Sequence, residues 1–193
     1  LLVLSILGLT TPAARRVARS LPGSLLGAAP HGRGQLGEDA AAYRRQMIGL
    51  GRNPNIGAVL VIGADRTRVD LIADGIAGGG ALVESVALDD VHEDALALTD
   101  RGIRAGARLM HAISRLRREP VPLASLLVGI ECGHSDATSG LVANPLVGAV
   151  TDRLVDAGAS VMVGETLGWV GGEHVLAARA RTAAVGEAIT AAV

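Results

Sequence analysis

Lysine and phenylalanine are both absent from the 193-residue chain, which holds one cysteine, one tryptophan and one tyrosine. All 18 basic residues are therefore arginines, and neither a Schiff-base lysine nor a phosphate-loop lysine is available. The single Cys132 excludes an internal disulfide framework and an all-cysteine zinc site, and it fits a reducing, cytoplasmic location. Charge of one sign is also missing. The formal net charge is -1, with 18 basic against 19 acidic residues, so no basic field favours a phosphate backbone and no nucleic-acid partner is expected. The opening run Leu1 to Leu9 is far shorter than the roughly 20 residues of a spanning helix. Arg15, Arg16 and Arg19 follow that run rather than precede it, unlike a signal peptide, so it reads as a buried strand and no membrane partner is expected.

What is present is small and aliphatic. Hydrophobic residues make up 49% of the chain but aromatics only 1%, so the core falls to Ala, Val, Leu and Ile, the palette of buried parallel strands under Ala-rich helices. Strand-length apolar runs alternate with helical patterns along the chain. Strands are expected at Leu1–Leu7, Ser24–Ala28, Ile56–Ile62, Ala81–Leu88, Leu126–Ile130 and Ser160–Val163. The intervening helices are expected near Pro12–Ser20, Glu38–Gly49, Arg68–Ala77, Val91–Arg118 and Asn144–Ala157, with a last one over Glu173–Ala192. Asn144 before Pro145 reads as an N-cap followed by a first-turn proline. Arg101, Arg104, Arg108 and Arg115 share one helix face, read as solvated. The pattern predicts a single α/β domain over residues 1–193: a doubly wound, mostly parallel sheet of about six strands with helices on both faces.

In such sheets ligands bind beyond the carboxyl ends of the strands. Three loops in those places are unusually polar. The first runs from Pro30 to Asp39 and holds His31, Arg33 and Gln35. The second, Glu131 to Gly140, holds Cys132, His134, Ser135, Asp136 and Ser139. The third, Gly164 to His174, holds Glu165 and the only tryptophan, Trp169. Parallel strands end on one side, so the three are expected to converge. Each has a plainer reading: Cys132 as a small core residue, Asp136 and Ser139 as partners of loop amides, His174 as a solvent-facing side chain. Gly8 lacks the remaining glycines of a dinucleotide fingerprint.

The string Cys132-Gly133-His134-Ser135-Asp136, then Ser139-Gly140, Ala143-Asn144-Pro145 and Gly148, with Glu165 and Gly172-Glu173-His174 beyond, resembles the altronate/galactarate dehydratase family. His31-Gly32, Gly34 to Asp39 and Asn53-Pro54-Asn55 extend the likeness over most of the chain. The resemblance implies a hydro-lyase acting on a sugar acid, an aldonate or aldarate, to give a 2-keto-3-deoxy acid, with iron(II) as the associated metal. By resemblance Cys132, Ser135 and Asp136 belong to the site, with Glu165 and His174 near it; His134, Asp136, His174 and Glu165 are read as catalytic candidates, His31, Arg33, Ser135, Ser139 and Asn144 as substrate-binding, and Cys132 as a metal ligand. His134 stands where the family usually has glycine. Arg33, Leu9 and Arg66 stand where it tends to have cysteine, and a guanidinium that stays protonated cannot replace a thiolate ligand.

Members of the family commonly continue past the last helix, so the resemblance leaves three readings of the chain: a fragment, a shortened relative, or one subunit of a split enzyme, with a homo-oligomer, a second subunit or a further domain as its partner. Two alternatives stand beside the hydro-lyase. One is a sulfo-lyase on a related hydroxy acid. The other is a noncatalytic sugar-acid-binding relative, or partner subunit, of an active dehydratase.

Overall fold

The computed structural model describes residues 1–31 and 34–192; Arg33, one of the expected substrate-binding residues, lies outside them. The chain divides into two compact units, Leu1–Arg117 and Arg118–Val193.

The first unit is a doubly wound α/β structure. Its strands β1 (Leu2–Ser5), β2 (Leu25–Ala28), β3 (Ala58–Gly63) and β4 (Leu82–Ala87) form one parallel sheet in the order β2-β1-β3-β4. Strand alternation sorts the aliphatic side chains into two cores. Leu2, Leu4, Val59 and Val61 meet helix α2 (Gly37–Gly51) through Met47 and helix α3 (Arg66–Ala77) through Val69, Ile72 and Ile76. On the opposite face Val3, Leu60 and Ile62 meet Ala14 and Val17 of α1 (Thr11–Ser20) and Leu98, Ala105 and Leu109 of α4 (Ala95–Ile113). Each large aliphatic side chain so buried contributes about 1.5–3 kcal/mol of transfer free energy. Gly102 lets α4 approach α1, since a Cβ there would stand 2.8 Å from Val17 Cγ2.

The helix expected over Val91–Arg118 is shorter at both ends. His92 and Glu93 take left-handed backbone angles, φ 51° and 63°. The Asp94 carboxylate then accepts the Leu96 and Ala97 amides at 2.7 and 3.1 Å, which starts the helix afresh. Two of the arginines read as a solvated face are ion-paired: Arg104 with Asp100 at 2.9 Å, Arg108 with Glu84 at 2.5 Å.

The second unit holds β5 (Leu127–Ile130) and β6 (Ser160–Val163), a separate two-stranded parallel sheet, with α5 (Asn144–Asp156), α6 (Glu173–Ala178) and α7 (Ala183–Ala191). The single six-stranded sheet expected from the pattern is thus four strands plus two. The run between the sheets, Arg115 to Pro122, carries three arginines, a glutamate and two prolines, and prolines supply no donor with which to extend a ladder. The single helix expected over Glu173–Ala192 is two. Thr182, in an extended conformation, accepts the Val185 amide on its hydroxyl at 3.3 Å and so caps a new helix. Gly186 then lies against α6, where a Cβ would stand 3.2 Å from the Ala177 carbonyl. Leu127, Leu146, Val147, Val150, Met162 and Val163 are exposed apolar residues of this unit. No described helix is long and apolar enough to cross a membrane.

Candidate active site

Strands β5 and β6 are parallel and in register, Ile130 beside Val163, so the loops after them leave the sheet side by side. The Gly164 amide donates to the Ile130 carbonyl at 2.7 Å, which sets Glu165 one residue beyond the start of the Glu131 loop. Two of the three polar loops therefore meet within the second unit. The first, with His31, belongs to the other unit. There the His31 carbonyl accepts the Gly8 amide at 3.0 Å, and a Cβ on Gly8 would stand 2.5 Å from the Pro30 carbonyl oxygen.

Within the Glu131 loop, Cys132 Sγ and Ser135 Oγ are 3.6 Å apart and both are exposed. Asp136 is more tightly held. Its Oδ1 accepts the Thr138 amide at 2.7 Å and the Thr138 hydroxyl at 2.6 Å, while its own amide donates to Ser139 Oγ at 3.0 Å. This reciprocal pair is a capping box in which serine replaces the usual glutamate. The Thr138 hydroxyl and amide, with a smaller contribution from the Ser139 amide, hold the Asp136 carboxyl below the usual carboxylate range. A carboxylate so stabilised serves as a fixed negative charge rather than as a proton donor at neutral pH.

The expected N-cap at Asn144 is not one. A π-helical turn, Ser139–Ala143, runs straight into α5, and Asn144 has helical angles, φ −66° and ψ −43°. Pro145 explains the widened turn: it has no amide for the carbonyl four residues back, and its ring crowds that carbonyl. Asn144 and His134 are exposed, as is His174 at the start of α6. The Gly171 amide donates to Glu173 Oε1 at 2.8 Å. That bond, the Glu173 backbone amide and the nearby His174 lower the Glu173 carboxyl, which acts as a local brace.

Glu165 differs from these surface groups. Its Oε2 is buried without a hydrogen-bond partner, and so is Trp169 Nε1 in the same loop. Buried polar atoms are rarely left so. Glu165 Oε2 is an acceptor and Trp169 Nε1 a donor, each without a partner. Trp169 stands out in the sequence as the only indole, but nothing in its neighbours announces a buried, unpaired nitrogen.

Among the described residues no group of three or more His, Cys, Asp or Glu side chains lies close enough to share a metal ion. Arg66, at one of the positions where a cysteine was expected, is instead tied to Asp70 and Asp90, each at 2.8 Å, and to Ser85 at 2.7 Å.

Comparison with known proteins gives the family. Residues 1–114 match the family model described as D-galactarate dehydratase/altronate hydrolase, second domain, and residues 123–193 match D-galactarate/altronate dehydratase, C-terminal. The chain belongs to the D-galactarate/altronate dehydratase family. It is 38% identical over 178 residues to the (2R)-sulfolactate sulfo-lyase subunit beta of Chromohalobacter salexigens, covering 92% of this chain and 45% of that one. It is 33% identical over 155 residues to the altronate dehydratase of Bacillus subtilis, covering 78% and 30%. With the galactarate dehydratase (L-threo-forming) of Escherichia coli the identity is 31% over 151 residues, covering 74% and 29%. The chain spans less than half the length of these relatives. No solved structure matches significantly.

Proposed function

We propose that this chain forms part of a lyase that eliminates a group from C3 of a small polyhydroxy carboxylic acid, with an aldonate or aldarate losing water as the leading case. The observation that carries the reading is the buried, unpartnered Glu165 Oε2 at the carboxyl edge of β5 and β6, beside the loop of Cys132, Ser135 and Asp136. An elimination needs a base placed out of bulk water with a free lone pair. Glu165 takes the C2 proton, the C–H electron pair moves into the C2–C3 bond, and the C3 hydroxyl leaves as water after taking a proton. The enol so formed becomes the 2-keto-3-deoxy acid. His134 and His174 are the candidate donors of the leaving-group proton. Ser135, Ser139 and Asn144 are assigned to substrate hydroxyls.

The 38% identity to a sulfolactate sulfo-lyase subunit favours a second reading, in which the C3–S bond breaks and sulfite leaves. That relative is named as a subunit, and large exposed apolar areas mark contact surfaces. A second subunit covering the exposed apolar residues of the second unit is therefore part of the proposal.

The test is anaerobic formation of 2-keto acid across aldonates, aldarates and 2-hydroxy-3-sulfonates, with and without iron(II), by the protein and by Glu165→Gln. Product that falls at least 100-fold in the variant, about 2.7 kcal/mol of barrier, supports the reading. Sulfite release from the sulfonates alone selects the second reading. Binding of sugar acids without product from any of them replaces both with a noncatalytic role.

A further inference from the structure

The solvent face of α1 carries a hollow of about 370 Å³, lined among the described residues by Gly8, Thr11, Pro12, Arg15, Arg16 and Arg19. Helix spacing explains why the arginines gather there. Ala13, Ala14 and Val17 are buried in the core, so Pro12, Arg15, Arg16 and Arg19, at i, i+3, i+4 and i+7, are left as one outward stripe. Helical side chains lean toward the N-terminus of their helix, which tips the guanidinium groups back toward the turn of Gly8 and Thr11. That turn follows β1, whose neighbours β2 and β3 lie on its two sides, and ligands of open parallel sheets bind outside the carboxyl end of the strand where the order reverses. We infer that this hollow binds a small dianion, a dicarboxylate or a phosphate monoester, through Arg15, Arg16 and Arg19.

No described residue neutralises these charges. None of the three guanidinium groups makes a hydrogen bond or an ion pair with a described residue, whereas Arg66, Arg104 and Arg108 each pair with a carboxylate. No acidic side chain is among the described lining residues. Arg15 and Arg19 stand at i,i+4 and Arg16 and Arg19 at i,i+3, where like charges destabilise a helix. An anion with two charges relieves that repulsion and takes up the paired donors of the guanidinium, which match carboxylate and phosphate oxygens alike. Arg15 and Arg19 leave the helix about 6 Å apart along its axis, a spacing suited to the two ends of a short diacid. The volume falls within the roughly 300–1,000 Å³ of small-molecule sites, and a hollow of that size suits a small ligand better than a flat acidic protein surface. No residue of the Glu131 or Gly164 loops takes part, so the site stands whether or not the lyase reading does.

The experiment is a calorimetric titration of the whole chain with succinate and with glycerol 3-phosphate, and with butyrate as the single-carboxylate control. Succinate has no hydroxyl to eliminate, which keeps its binding apart from lyase chemistry. Saturable one-to-one binding of at least one dianion is expected, about tenfold or more tighter than butyrate. It should weaken about tenfold or more in Arg15→Gln and in Arg19→Gln and stay unchanged in Arg104→Gln, which alters an arginine of α4. The dianion bound more tightly names the head group. Urea midpoints of the unliganded Arg15→Gln and Arg19→Gln proteins, expected at or above that of the native chain because like-charge repulsion is gone, show that the loss is one of binding. Binding of neither dianion, butyrate bound as tightly, unchanged affinity in both variants, or equal weakening in Arg104→Gln overturns the site. Binding of an oligoglutamate peptide with neither dianion also overturns it and makes the stripe a protein-docking face.

Discussion

Tyr43 ties helix α2 to the end of β1 through one hydrogen bond, and Tyr43→Phe removes that bond with little change of shape. The phenol donates to the Ile6 carbonyl at 2.6 Å across 37 residues of chain, and Ile6 is only 5% exposed. Losing a neutral hydrogen bond costs about 0.5–1.5 kcal/mol, and an acceptor left buried and unpaired raises the cost to about 1–3 kcal/mol. A Tm lowered by roughly 4–15 °C follows. The same substitution has a signature in pH. Burial pushes the Tyr43 phenol up, and the nearby Arg68 guanidinium offsets this only in part. The unfolded chain therefore loses the phenolic proton first, near pH 10. The contribution of Tyr43 to stability is complete below that pH and is lost as pH rises through the raised folded value. Because the chain has no lysine, the amine titrations that normally crowd this range are missing. Urea denaturation of the native protein and of Tyr43→Phe from pH about 8 to about 12, with tyrosinate absorbance recorded in parallel, isolates the effect. An equally steep alkaline loss of stability in both proteins would refute the reasoning.

Gly63→Ala places a Cβ 2.5 Å from Val69 Cγ2 and 2.8 Å from Ile6 Cγ1; the overpacking should cost about 1–3 kcal/mol, read as a lower urea midpoint with an unchanged slope. The depressed Asp136 carboxyl stabilises the fold above the usual carboxylate range, a contribution lost as pH falls through its folded value. Asp136→Ala should flatten the acid limb of the stability profile and speed hydrogen exchange at the Thr138 amide, and unchanged exchange there would count against the capping role. The exposed Cys132 should react with a thiol reagent nearly as fast in the native protein as in urea, with a tenfold native-state slowing sufficient to show that the thiol is covered.

The strands were readable because each is a short, mostly aliphatic run, with Glu84 of β4 the one charged residue among the described strands: Ser160–Val163 has the expected bounds, and β3 and β4 differ from expectation only at their ends. Sheet membership was not, because it depends on which strands pair. Nothing in the residues of Leu127–Ile130 or of Leu82–Ala87 names a partner strand, yet the first pairs with β6 and the second with β3. Helix interruptions were missed where a small polar side chain acts through geometry, as Thr182 and Asp94 do. The motif around Cys132 was legible as a family string. The capping box of Asp136 and Ser139, although sequence-local, was weighed only as a general loop interaction. The unpaired Glu165 and Trp169 atoms are products of tertiary burial and leave no mark on residue order.

The π turn at Ser139–Ala143 carries one more residue than an α-helical path between the same end points would need. It is an expansion joint in the chain. A relative one residue shorter in this stretch could thread the same route as unbroken α-helix, with β6 undisturbed, so single-residue insertions and deletions in the lineage are expected to collect here, between the Asp136 cap and Pro145, rather than in the loop that carries Cys132.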